Sequence, residues 1–342
     1  MSDERHVIAG RVFKGALLAN LALTIFCLVA YFTGAGDEVA GTRRFDAQAV
    51  GRVLFGVVVF NVAWGFLWYG IKNLLLKFVV GFSREERRAA FSSRMQQPFE
   101  VGEIIARHSE RRIRIVDMIG RRGRFITIGL AAFFYLYWHI ATERPGNFAT
   151  AFLKDNLVDG VITGWIFIAL YYRNGLLGAA IYGPQSRVMD GVLARANCLL
   201  IITLWGLFKL VLFPIGTRLA AIYPPEQFAV VFAMIWGSYM VCDALAEAGG
   251  SIYGRQKIRV IGIGDVNRKS IAGTVTGFLG SWVFCSAIVL TNSLPPSFLA
   301  LALLVSVSNT LLELWSPRGT DDFFMATGNA LICLAFGTWA MS

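Results

Sequence analysis

The stretch Cys242-Asp243-Ala244-Leu245-Ala246-Glu247-Ala248-Gly249-Gly250 closes a long apolar run, residues 227–248. It is followed by Tyr253-Gly254-Arg255-Gln256-Lys257 and then by Asn267-Arg268-Lys269-Ser270. About 20 apolar residues are what a helix needs to cross a hydrocarbon core of roughly 30 Å. Two carboxylates in or beside such a helix are costly, and ionisable groups placed there mark a functional site by default. Asp243, Glu247 and Gly250 share one helix face, because residues three, four and seven apart stack above one another.

Outward from this run, the rest of the chain has the same character. Of 342 residues, 56% are hydrophobic and 16% charged, with a mean hydropathy of +0.58. That composition excludes an ordinary water-soluble domain and predicts an all-α, polytopic integral membrane protein. Apolar runs at 15–34, 53–80, 125–141, 157–172, 196–216, 227–248, 271–291, 298–315 and 323–340 give about nine transmembrane helices. The first follows Arg5, Arg11 and Lys14 as a signal peptide would, but no small-residue cleavage site closes it, so it reads as an uncleaved span. No internal repeat is visible, which gives little support to a transporter built from two inverted halves.

The net charge of +10 is concentrated in particular loops, so it reports orientation and not nucleic-acid binding. Residues 82–124 carry eleven arginines against five glutamates and one aspartate. The positive-inside rule puts this stretch, the amino terminus and loops 173–195, 254–270 and 316–322 in the cytoplasm. Within it Phe99, Val101, Ile104 and Ile105 fit a surface helix against lipid headgroups, or equally a solvated connector. Trp64, Trp68 and Tyr69 read as interfacial anchors. Cys27, Cys198, Cys242, Cys285 and Cys333 all fall in apolar runs without metal-ligand spacing, and are packing residues. His6 and His108 read as solvated.

On this topology Asp243, Glu247, Glu313 and the pair Asp321-Asp322 reach one membrane face from three spans. The loop between the sixth and seventh spans holds Lys257, Asn267, Arg268, Lys269 and Ser270 and opens onto a helix beginning near Ile271. The free N–H groups and dipole of a helix amino terminus favour phosphate. Cations beside carboxylates point to a nucleotide with its magnesium, the lysines neutralising phosphate oxygens and the carboxylates holding the metal. Two plainer readings stand beside this one. Asp243 and Glu247 could pair with Lys257 or Arg268 at the interface, and Asp321-Asp322 could cap the last helix. Gly250 and Gly254 would let a helix or a ligand approach the backbone closely.

Three blocks in order carry a resemblance. Asp243, Ala246, Gly250, Tyr253, Gly254 and Lys257 form the first, Lys269-Ser270-Ile271-Ala272-Gly273-Thr274 the second, and Glu313 followed by Asp321-Asp322 the third. Over about residues 235–330 the chain resembles the CTP-dependent lipid-alcohol kinases, namely dolichol kinase, phytol kinase and the CTP-dependent diacylglycerol kinase, distant relatives of phosphatidate cytidylyltransferases. Cys242 stands where that family often has Gly, Asp322 where Asn is usual, and Ala326 where Pro can follow.

The resemblance divides the chain into an N-terminal transmembrane region, 1–195, and a catalytic region, 196–342. It implies transfer of the terminal phosphate of CTP, less readily ATP, to a polyprenol, a phytol-like alcohol or diacylglycerol at the cytoplasmic face. Asp243, Glu313 and Lys269 would be catalytic. Lys257, Asn267, Arg268, Ser270, Gly273, Thr274, Gly250 and Gly254 would bind nucleotide, and Asp243, Glu247, Asp321 and Asp322 would hold magnesium. The alternatives are a cytidylyltransferase acting on a lipid phosphate and a non-enzymatic membrane transporter.

Overall fold

Inside a bilayer no water satisfies backbone N–H and C=O groups, so an apolar run must close its hydrogen bonds within itself as a helix. The computed structural model describes residues 2–33, 47–91, 101–142, 145–173, 175–260, 268–317 and 320–340, and helices dominate it. In order these are α1 (Ser2–Thr33), α2 (Ala47–Leu75), α3 (Arg84–Phe91), α4 (Val101–Arg107), α5 (Glu110–Thr142), α6 (Pro145–Leu170), α7 (Leu176–Tyr182), α8 (Ala194–Ile222), α9 (Pro225–Ile252), α10 (Ile271–Thr291), α11 (Ser297–Trp315) and α12 (Asp321–Ala340). A π-turn, Leu76–Val80, extends α2 until Gly81 ends it in a left-handed conformation, φ 87°. A 3-10 segment, Val188–Leu193, leads into α8.

Among the described residues seven helices are long and apolar enough to cross a membrane, contributed by α1, α2, α8, α9, α10, α11 and α12. The two other expected spans lie in α5 and α6, helices of 33 and 26 residues; the side chains of 128–155 are not described, and within α6 Asn156–Leu170 is a shorter apolar helix. Between α9 and α10 the expected inner loop contains an antiparallel ribbon, β1 (Lys257–Arg259) against β2 (Arg268–Ser270), with Lys257 opposite Ser270 and Ile258 opposite Lys269. Asn267, like residues 261–266, lies outside the described residues.

The helix pair α9–α10 is the axis of the C-terminal bundle. Its backbones meet through glycine: a Cβ on Gly273 would lie 2.5 Å from the Ala246 carbonyl oxygen, and one on Gly277 would lie 2.9 Å from that of Cys242. Small residues let helices in lipid approach closely enough for van der Waals contact to hold them, where no hydrophobic effect drives association. Around this pair α11 and α12 complete a bundle whose centre is polar. Asn309 Nδ2 donates to Ser238 Oγ (2.9 Å) and Ser281 Oγ (3.0 Å), and Asn329 Nδ2 donates to Asn309 Oδ1 (2.8 Å) and Ser238 Oγ (3.1 Å). These hydrogen bonds cross between all four helices at fully buried positions. On the N-terminal side α1 and α6 pack on α8, and α5 packs against α9.

Several expectations about 53–124 are corrected. Ile104 does not face headgroups but is buried with Leu76, Phe82, Phe91, Ile113 and Val188 in a protein core, because α4 packs against the 3-10 segment. Phe99 lies outside the described residues, and the side chains of Val101 and Ile105 are not described. Trp64 and Trp68 are half-buried, their indole N–H groups donating to Thr127 Oγ1 of α5 at 2.6 and 3.2 Å, a bond that a tryptophan anchored at an interface can also make. His108 is not solvated; its Nε2 lies 3.0 Å from Glu86 Oε1 and its ring 4.8 Å from that of Phe82. All five cysteines are free and buried.

Candidate functional site

The last turns of α9 bring Asp243 and Glu247 to the end of the bundle, and the partners they find are arginines of the N-terminal region. Arg122, on α5, donates from Nη2 to Asp243 Oδ1 (2.5 Å), pairs through Nη1 with the second Asp243 oxygen, and donates from Nε to Glu247 Oε2. Glu247 Oε1 accepts from Arg121 Nη1 (2.8 Å) and from Arg187 Nη2 (3.2 Å). The guanidinium fork matches carboxylate geometry bidentately, which an ammonium cannot do. The expected partners Lys257 and Arg268 make no ion pair with either carboxylate.

Arg187 is placed by a buried clamp. Lys72 Nζ, on α2, pairs with Asp117 Oδ1 (2.8 Å) and donates to the carbonyls of Gly183 (3.1 Å) and Ser186 (2.5 Å). Asp117 Oδ2 accepts the backbone N–H of Val188 (2.8 Å). Both charges are almost wholly enclosed, 1% and 4% exposed as side chains, so the loop before the 3-10 segment is fixed by groups that cannot be left unpaired.

Across from the arginines, β2 delivers Lys269. Its Nζ pairs with Glu313 Oε1 (2.9 Å) and Asp321 Oδ2 (3.4 Å), and donates to the Glu313 carbonyl. Burial opposes the charge on Lys269, but Asp321 and Glu313 outweigh it and raise the pKa above the ordinary lysine value. Asp321 and Asp322 occupy the first turn of α12, where the helix dipole favours anions. Ser270 caps α10, its Oγ accepting the N–H of Gly273 at 3.1 Å, while the Ile271 N–H donates to the Gln256 carbonyl at 3.3 Å. Two of the amides expected to await a phosphate are therefore already engaged, one by the N-cap and one by the ribbon.

These elements enclose a cavity of about 150 Å³, lined on one side by Arg114, Asp117, Arg122 and Arg187 and on the other by Lys257, Arg268, Lys269, Ser270, Gly273 and Thr274. Asp243, Glu247, Gly250, Glu313 and Asp321 complete the wall, so six cationic and five acidic side chains face one space. Gly254 is not part of it; a Cβ there would lie 2.8 Å from Ser270 Oγ and 2.2 Å from the Gly250 carbonyl oxygen, so its bareness lets the helix end fold against the cap. Asp322 lines a smaller neighbouring cavity of about 40 Å³, with Arg121, Gln185, Asp190 and Asn197, and its Oδ1 is buried without a hydrogen-bond partner. Arg122, Arg187, Asp243 and Asp321 are common to both cavities.

Among the described residues no three His, Cys, Asp or Glu side chains gather to hold a metal by themselves. Magnesium seldom needs such a cage; it commonly takes one or two carboxylates together with substrate phosphates. Asp322 Oδ1 is buried and unpartnered, and Asp243 and Asp321 line the same small cavity, so these carboxylates are the donors an ion held partly by a ligand's own oxygens could use.

Reading the sequence missed Arg114, Asp117, Arg122 and Arg187. It also missed a second polar site at the middle of α8. There Lys209, fully enclosed, pairs with Asp159 of α6 and stands 3.3 Å from the centre of the Trp205 ring, and Thr163 Oγ1 donates to Asp159 Oδ1 at 3.2 Å. A lysine in the middle of an apolar run was the available signal. Compared with known proteins, the chain matches no family model, and no curated protein or solved structure is significantly similar to it.

Proposed function

We propose that the protein is a membrane lipid kinase that transfers the terminal phosphate of CTP to the hydroxyl of a lipid alcohol at the cytoplasmic face of the bilayer. What supports this reading is one observation: three sequence blocks far apart in the chain, represented by Asp243, by Lys269 with Ser270, Gly273 and Thr274, and by Glu313 with Asp321, line a single charged cavity at the end of an apolar helix bundle. Phosphoryl transfer asks mainly for positioning and for charge neutralisation around the transferred group, and a wall of cations beside carboxylates can supply both.

In this mechanism Lys269, Lys257 and Arg268 attract the phosphate oxygens, and the cap at Ser270 keeps the start of α10 rigid behind them. Lys257 is the more exposed of the two lysines, and burial together with the neighbouring Arg114 lowers its pKa. The lipid oxygen attacks the terminal phosphorus and the bond to the bridging oxygen of the nucleotide breaks. The hydroxyl proton passes to the carboxylate of Asp243, with Glu313 as the alternative acceptor, and CDP leaves. Magnesium, bound with the nucleotide, would be held by Asp321 and Asp322, joined by Asp243 where Glu313 takes the proton instead, and would neutralise phosphate charge. Glu247 has both oxygens taken up by three guanidinium groups, so it serves as their anchor and not as a metal ligand.

The test is incubation of the purified protein and a lipid extract with γ-labelled CTP, γ-labelled ATP and α-labelled CTP in parallel. Label from the γ position in lipid supports the kinase. Label from the α position, with release of pyrophosphate, supports a cytidylyltransferase, and no labelled lipid from any of the three rejects both. A transporter is the second reading that a specific observation favours, because Lys209 and Asp159 pair near the middle of their helices. Solute-dependent flux in proteoliposomes without nucleotide would establish it.

A further inference from the structure

Asp243 cannot act as base or metal ligand while both of its oxygens are held by Arg122. A guanidinium in that position stabilises the ionised carboxylate and occupies the lone pairs that a proton or a cation would need. We propose that Arg122 is an exchange residue, which turns from Asp243 to the phosphates of an incoming polyphosphate ligand and so frees the carboxylate only when that ligand is present. The proposal rests on the phosphate-binding reading of the cavity.

Four observations carry it. Arg122 is the single arginine of its group that holds Asp243, whereas Glu247 keeps Arg121 and Arg187 if Arg122 departs. Arg122 and Asp243 both line each of the two cavities, so the guanidinium has space into which to swing. The backbone beside it is immobilised, since Asp117 on the same helix is locked to Lys72 and to the Val188 N–H; only a side chain has to move. Lastly, phosphate and carboxylate both accept arginine bidentately and so compete for it. A triphosphate also brings more negative charge than the carboxylate it replaces.

Arg121 is the internal control. It bonds Glu247 as Arg122 does, but it does not line the larger cavity.

The experiment measures binding of inorganic tripolyphosphate, with a chelator present so that no metal contributes, to the purified full-length protein in detergent. Asp243→Asn releases Arg122 without removing it, and should bind tripolyphosphate about tenfold more tightly than wild type, equivalent to ~1.4 kcal/mol. Arg122→Lys should weaken binding by a similar factor, while Arg121→Lys should leave it within about twofold. A structural pair, or a carboxylate that merely repels phosphate without holding an arginine, does not produce that contrast between neighbouring arginines. Should Asp243→Asn fail to fold, the two lysine variants decide alone, and equal effects of the two overturn the exchange. If wild type binds tripolyphosphate but Asp243→Asn binds it no better, the exchange is also overturned while the phosphate site stands. If wild type binds none, the phosphate site itself is wrong.

Discussion

Replacing Lys269 by methionine removes a cation that two carboxylates share. Glu313 is 6% exposed and lies 2.9 Å from Lys269 Nζ, with Asp321 at 3.4 Å. Deleting one partner of a buried pair leaves an uncompensated charge, at a cost of about 3–5 kcal/mol. Because Lys269 retains some exposure and Asp321 keeps the favourable dipole of α12, the lower end applies, about 3 kcal/mol. Lys269→Met should therefore lose both tripolyphosphate affinity and resistance to denaturant in detergent. Adding Glu313→Gln removes the orphaned charge and should recover roughly half of the lost stability, a coupling within the 0.5–3 kcal/mol that contacting pairs show. Lys257→Met, at an exposed position, should change stability by no more than ~0.5 kcal/mol while still weakening tripolyphosphate binding. If Lys269→Met is as stable as wild type, the lysine does not hold Glu313 and Asp321 as described. If neither variant binds tripolyphosphate less well, the cavity is not a phosphate site.

Lys209→Met should destabilise the protein by about 3 kcal/mol by stranding Asp159, and Lys209→Met with Asp159→Asn should recover most of that in the same denaturation assay; no recovery would mean the two do not pair. Asn309→Leu, which strips the donors from Ser238 and Ser281, should cost about 1–2 kcal/mol, in the range found for hydrogen bonds between membrane helices, and a neutral result would remove the polar centre from the account of how α9–α12 associate. In a cysteine-free background, cysteines at the exposed positions Ser83 and Arg259 should react with an impermeant thiol reagent only after cells are opened, and one at Ser293 in intact cells. Labelling of Ser293 and Arg259 from the same side would show that α10 does not cross.

The helices were legible because the bilayer leaves the backbone one choice. From Ala194 onward each apolar run became a helix within a few residues of its expected ends, and Ser270, a residue suited to capping, begins α10 where the apolar run begins. Residues 53–124 were less legible. Whether Ile104 or Trp68 faces lipid or protein depends on which helix covers it, and amphipathic periodicity looks the same in both cases. The ribbon β1–β2 was missed because three-residue strands carry no alternation to read.

The site divides along the same line. Asp243, Lys269, Glu313 and Asp321 were legible because a charge beside an apolar helix is expensive, so each stands out against its local background. Arg121 and Arg122 had no such background. In a stretch with eleven arginines, the positive-inside rule already explains every one, and nothing in the spacing separates those that only orient the chain from those that enter the bundle. Only the packing of α5 against α9 makes the distinction, and it changes the electrostatics of the site. The sequence offers Asp243 either as a metal ligand or catalytic carboxylate or as the partner of Lys257 or Arg268; in the structure a guanidinium from another helix, Arg122, holds it. Arg122 offsets part of the cost of burying Asp243 before any ligand arrives, so what a ligand must supply is a better partner for Arg122, which a polyphosphate can be and a neutral lipid hydroxyl cannot. On the proposed phosphoryl transfer, nucleotide should therefore bind before lipid.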